Sequence, residues 1–204
     1  MFNIDGEIKK MIAKYPDLWE KKRYKPNTIL FSKGEIVNQN FYIELGILKA
    51  YVVNKDLQKN VLVVLFSDGN SILPYSNYPE NMPITFYLKT VEDSIIYSIS
   101  GDDWEKIREK EPISNELVYY NVARILEKFI IQQAEINAYP NAETRYKKAV
   151  EIYPNLCRIN NAEVALFFGN DRSTINRGKS SLMKNTVRKI CHIQNKIVSF
   201  FYKF

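Results

Sequence analysis

Residues 167–179 read FFGNDRSTINRGK. Gly169, one of only seven glycines, follows an apolar run there, and a polar cap and two arginines five apart come after it. Glycine supplies the positive φ of a tight turn without a Cβ penalty. Asp171 is placed to accept from the free N–H groups that open a helix. The stretch therefore reads as a helix end, a turn and a second helix. Upstream, NAEVALFF forms the first helix, with Val164, Ala165 and Phe168 inward. At about 100° per residue, Ile175, Gly178 and Leu182 share one face of the second helix. Arg172, Ser173, Asn176 and Arg177 share the opposite face. An apolar or small inward face under a donor-rich outward face suits a helix whose N-terminal residues enter the major groove of DNA. Arginine there can grip guanine with two hydrogen bonds, while Lys179 and Lys184 suit phosphates.

The surroundings of this stretch are basic. Residues 140–204 hold 12 Lys/Arg against 4 Asp/Glu, whereas residues 1–139 hold 17 against 19. The net charge of +6 thus belongs to the last third, as expected of a polyanion-binding module joined to a neutral one. Within it, ETRYKKAVEIYPNL reads as a helix with Tyr146, Ala149, Val150 and Tyr153 inward, and CRIN as a short link. The tail RKICHIQNKIVSFFYKF reads as two short strands turning at Gln194-Asn195.

Further outward, the texture from Thr28 to Ser100 is that of strands. TILF, FYIEL, ILKAYVV, NVLVVLF, ITFYLKTV and SIIYSIS are β-branched and aromatic runs, parted by SKGE, Gly46, NKD, SDGN and YSNYPENMP. Six or more short strands with tight turns make a sandwich, roll or barrel. Before them, Ile8, Met11, Ile12 and Tyr15 lie at helical spacing until Pro16, so the first 24 residues read as short helices. After them, Gly101-Asp102-Asp103 caps a helix over WEKIREKE, ended by Pro112.

From Ile113 to Ala138 no proline or glycine occurs, and a helix of about seven turns is expected. Val118, Val122, Ile125, Phe129 and Ile136 form a heptad seam on it, with Gln132 in the missing slot. A second stripe, Tyr119, Ala123, Leu126 and Ile130, runs beside the seam. Two stripes suit a helix between its own core and a second copy of the chain; one broad core-facing stripe is the alternative.

Taken in order, these segments resemble the CRP/FNR family of bacterial transcription regulators. KPNTILFSKGE with FYIELGILKAYVV is similar to the opening strands of its cyclic-nucleotide-binding-like roll, and YLKTVEDSIIYSISGDDWEKI to the closing strands and following helix. ETRYKKAVEIYP and INNAEVALFFGNDRSTINR are similar to its DNA-binding domain. The resemblance spans about Lys25 to Phe201. It implies an α+β chain: an N-terminal β-roll (a double-stranded, jelly-roll-like fold), a long dimerisation helix and a C-terminal winged helix-turn-helix, the tail being the wing. The corresponding boundaries are 1–112, 113–139 and 140–204. It also implies a homodimer on a two-fold symmetric operator in double-stranded DNA, with RNA polymerase as a partner if the regulator activates.

Residue by residue, the resemblance places Arg172 and Arg177 on base-reading positions and Asp171 and Thr174 on phosphate-contacting ones. Ser173 falls where familiar members carry a glutamate, so a different base preference is expected. The nucleotide-binding members use a Gly-Glu pair and an arginine for ribose and cyclic phosphate. Here Asn70 replaces that glutamate, and no arginine lies between Arg23 and Arg108. Cyclic AMP is therefore not expected as the effector. Asn70, Leu73, Tyr75, Tyr78, Phe86 and Leu88 form a candidate pocket for an uncharged effector, if one exists.

Other classes fit less well. There is no metal-ligand constellation, Gly-rich phosphate loop or nucleophile–base set, so neither an enzyme nor a cofactor is expected. The only histidine, His192, lies in the tail, and the two cysteines favour a reducing, cytoplasmic setting. No run approaches the roughly 18 apolar residues of a membrane span, and the N-terminus lacks the pattern of a secretory signal. The competing reading is a cyclic-nucleotide-like sensor or dimeric interaction module whose basic end binds protein or a membrane surface.

Overall fold

The computed structural model describes residues 3–56, 58–77, 82–167 and 172–183, excluding the side chains at 76–77, 128–129, 142, 174, 177–178 and 181–183. The chain forms two compact units, residues 1–52 with 63–129 and residues 53–62 with 130–204.

The first unit is built on two four-stranded antiparallel sheets. One runs in the order β1 (Glu20–Tyr24), β8 (Ser94–Ser100), β3 (Gln39–Leu45), β6 (Ser71–Ile72); the other runs β2 (Ile29–Phe31), β7 (Tyr87–Thr90), β4 (Leu48–Asn54), β5 (Lys59–Phe66). Phe41, Ile43 and Ile96 of the first sheet meet Phe31, Leu48, Ala50, Phe66 and Leu88 of the second in one buried cluster. The first sheet is covered on its other face as well. Tyr42 and Ile99 pack there with Ile4, Ile8 and Met11 of α1 (Ile4–Lys14), Trp104 and Ile107 of α3 (Gly101–Lys110) and Leu117 of α4 (Ile113–Leu126). Asn40 to Ile43 are therefore buried in succession, because a strand covered on both faces needs no polar alternation. A short helix, α2 (Pro74–Asn77), follows β6.

Several boundaries differ from the sequence expectation. EKKRY forms β1, although none of its residues is buried. Its order comes from pairing along β8, Glu20 opposite Ser98 through Tyr24 opposite Ser94, and its charges suit a sheet edge. ITFYLKTV is strand only from Tyr87. Ile84 is buried instead in a loop, exchanging backbone hydrogen bonds with Gly34 and Glu35. The cap of α3 is Ser100, whose Oγ accepts from Asp103 N at 3.1 Å, and not the Gly101-Asp102-Asp103 run. Gly101 serves close packing: a Cβ there would lie 2.4 Å from the Tyr75 ring and 2.1 Å from Asn38 Oδ1.

The single helix expected over 113–138 is α4, a π-helical turn over Glu127–Ile131, and α5 (Gln132–Asn137). A π turn inserts a residue into the α repeat. The α repeat on which the heptad spacing rests is therefore interrupted at Glu127–Ile131.

The second unit packs α6 (Ala142–Ile152), α7 (Asn161–Phe167) and α8 (Arg172–Met183) around Tyr146, Ala149, Val150, Leu156, Val164, Ala165 and Ile175, all buried. Asn141 caps α6 by accepting from Thr144 N at 2.9 Å, and Lys148 pairs with Glu135 at 2.7 Å. Tyr153 meets Phe167 edge-on at 6.4 Å, and burial pushes its hydroxyl pKa up to about 12. Cys157 Sγ lies 3.1 Å from the Pro154 carbonyl oxygen, and the second cysteine, Cys191, lies outside the described residues. The tail strands of 186–203, with His192, also lie outside them.

Candidate functional site

In the first unit the roll and α4 line a half-open chamber of about 350 Å³. Ala50 of β4, Val63, Val64 and Phe66 of β5, Ile72, Leu73, Pro74 and Phe86 form the roll side. Val122, Ile125 and Leu126 of α4 form the other. Every lining residue is apolar. Ile125 packs against the roll core, while Val122 and Leu126 remain 37% and 51% exposed.

Of the six candidate pocket residues, the structure brings Leu73 and Phe86 to this chamber. Leu88 is fully buried in the roll core instead. Tyr75 donates its hydroxyl to Glu105 at 3.2 Å and packs against the α1/α3 cluster. Asn70 closes the SDGN turn, its Oδ1 accepting from Ser67 N at 3.1 Å. Tyr78 lies outside the described residues. The β5 and α4 contributions escape sequence reasoning because NVLVVLF signals only a buried strand, and the α4 residues read as a seam for another chain.

Beside the chamber runs a polar network with no signal in the sequence. Arg124 of α4 donates to Asp5 at 2.5 Å, to Asn121 Oδ1 at 2.7 Å and to the Ser71 carbonyl at 3.3 Å. Asp5 in turn accepts from Ser71 N at 3.0 Å. One guanidinium thus joins α1, β6 and α4. The backbone donors of the adjoining turn are also engaged: Gly69 N donates to Ile43 O and Asn70 N to Ser67 O.

The expected seam is divided. Val118 packs on the α1/α3 cluster and Ile125 on the roll core, Ile136 is fully buried within the second unit, and the Phe129 side chain lies outside the described structure. The face that α4 leaves open is the second stripe, with Tyr119 72% exposed beside Val122, Ala123 and Leu126.

In the second unit, α8 buries Ile175 completely and exposes Arg172, Ser173 and Asn176. Asn161, at the start of α7, donates to Asn176 Oδ1 at 2.8 Å and accepts from Lys179 Nζ at 3.0 Å. Lys179 is thereby half-buried rather than fully free, a tie the sequence does not show. Asp171 and Lys184, and the side chains of Thr174 and Arg177, lie outside the described structure. Among the described residues no His/Cys/Asp/Glu group is arranged to hold a metal, and no helix is long and apolar enough to cross a membrane.

Residues 21–111 match the cyclic nucleotide-binding domain. No curated protein matches the chain. Among solved structures it is similar to the c-di-GMP responsive global regulator CLP of Xanthomonas campestris, at 16% identity over 88% of this chain and 92% of that one, TM-score 0.64. It is also similar to a protein of Eubacterium rectale assigned to the CRP/FNR family, at 14% identity over 86% and 82%, TM-score 0.63. A third is a cyclic nucleotide-binding domain containing protein of Listeria monocytogenes, at 16% identity over 89% of each chain, TM-score 0.61. Residues 21–111 thus match the cyclic nucleotide-binding domain, and the chain as a whole shares its fold with these solved proteins, one of them assigned to the CRP/FNR family.

Proposed function

We propose that this chain is a sequence-specific, DNA-binding transcription regulator of the CRP/FNR type, a cytoplasmic homodimer without catalytic activity of its own. The observation that carries it is α8, which buries Ile175 and turns Arg172, Ser173 and Asn176 outward in the basic third of the chain. The N-terminal turn of such a helix reads base edges in the major groove. Arg172, Ser173, Asn176 and Arg177 are the base-reading set, with Asp171, Thr174, Lys179 and Lys184 at phosphates. The exposed stripe of α4 is the surface for the second copy, and residues 140–204 form a winged helix-turn-helix.

Selection of bound sequences from random duplexes tests this reading. A two-fold symmetric consensus is expected, with binding that weakens as salt rises. Arg177→Ala should relax preference at one position per half-site and cost about 1–3 kcal/mol. Lys184→Ala should weaken all sequences alike and flatten the salt dependence. Binding to anionic vesicles in place of duplex DNA would overturn the assignment.

A further inference from the structure

We infer that the chamber between the roll and α4 binds an uncharged, apolar small molecule and not a cyclic nucleotide. The inference names an effector class for the regulator proposed above and rests on that reading for its biological use, while binding itself is a property of the first unit.

Three observations exclude the nucleotide. A cyclic phosphate keeps its negative charge at neutral pH, and burying it requires a cation or several donors. The chain has no lysine or arginine between Lys59 and Lys89, the stretch that supplies nearly all of the roll side of the chamber. Lys49 and Lys89 stand opposite each other on paired strands, on the face away from Ala50 and Leu88. Arg124, the cation nearest on α4, is already held by Asp5, Asn121 and the Ser71 carbonyl.

The donors are the third point. The backbone N–H groups of Gly69, Asn70 and Ser71 could otherwise cradle an anion. All three are engaged within the protein, by Ile43 O, Ser67 O and Asp5 Oδ1. The Asn70 side chain closes the same turn and is not turned to a ribose. An anion entering here would gain no partner without breaking one.

What the chamber does offer is volume and apolar wall. Cores pack closely, with few voids larger than a water, and concave apolar surface of this size is the usual form of a ligand site. Apolar cavities of about 150 Å³ bind benzene. The 350 Å³ found here suits a substituted aromatic or a hydrocarbon chain of roughly ten carbons on that scale.

The test uses the full chain and the uncharged fluorophore N-phenyl-1-naphthylamine. One probe should bind per chain at micromolar concentration, insensitive to salt and displaced by 1-decanol. Cyclic AMP and cyclic GMP should neither displace it nor give heat in calorimetry at millimolar concentration. Val64→Trp, which fills the chamber from β5, should weaken probe binding roughly tenfold or more, with circular dichroism checking its fold. Displacement by either nucleotide, failure of the probe to bind, or wild-type affinity in folded Val64→Trp would each overturn the inference. The same samples are assayed for duplex binding. DNA binding without probe binding removes this inference alone; probe binding without DNA binding removes the regulator reading alone.

Discussion

At Arg124 a single side chain holds together segments 119 residues apart in sequence. Its guanidinium makes three hydrogen bonds, one of them to a carboxylate that is itself only partly exposed. Hydrogen bonds to charged groups are worth more than neutral ones, and losing one partner leaves the other desolvated. Arg124→Ala should therefore lower stability by about 2 kcal/mol, read from the urea midpoint. Arg124→Lys should recover only part of this, because an ammonium cannot reproduce the planar fork. Tyr153 provides a pH test. Its folded pKa of about 12 is raised by burial above the ordinary value of about 10. A raised pKa means its contribution is complete below pH 10 and is lost as pH climbs through about 12. Melting curves from neutral to alkaline pH should show Tyr153→Phe losing less stability over that window than the parent protein. Neither role is legible in the sequence. An arginine on a helix looks solvated until its partner is known, and the helical spacing around Asp5 shows only that its segment packs on something larger.

Among the elements, α4 carries the richest sequence pattern and the most ambiguous one. Its two apolar stripes are visible, but spacing alone cannot say which one the chain keeps for itself. Packing decides: Val118 and Ile125 touch the chain's own clusters, and Tyr119, Ala123 and Leu126 are left exposed. Two substitutions separate these roles. The double change Tyr119→Glu with Ala123→Glu should give a folded monomer by sedimentation, since neither residue belongs to the core. Ile125→Glu should instead lower the melting point of the first unit, costing about 2 kcal/mol or more for an unpaired charge at the roll. An unchanged dimer after the double change would remove the stripe as the interface. The π turn at Glu127–Ile131 has no sequence signal, because the residues that form it are ordinary helix formers.

For the whole molecule, the proposed effector, second copy and DNA would form one linked system. Val122 and Leu126 line the chamber and also belong to the open face of α4, so the proposed apolar ligand and second copy would draw on the same side chains. Filling the chamber should fix those side chains and favour association. Linkage then requires that whatever factor the ligand adds to DNA affinity, DNA adds to ligand affinity. Titrating the naphthylamine probe with and without a bound duplex should return the same factor as titrating duplex with and without probe. The strand texture of residues 28–100, the proline breaks that end helices and the basic last third can be read directly from residue order. Local sterics and hydrophobic period act over a few residues, and charge is simply counted. Tertiary structure alone decided that EKKRY pairs as an edge strand, that α4 turns one stripe inward, and that Gly69, Asn70 and Arg124 spend their donors within the protein. Those outcomes depend on groups far apart in the chain, and no local pattern records which distant partner a charge or a backbone N–H will meet.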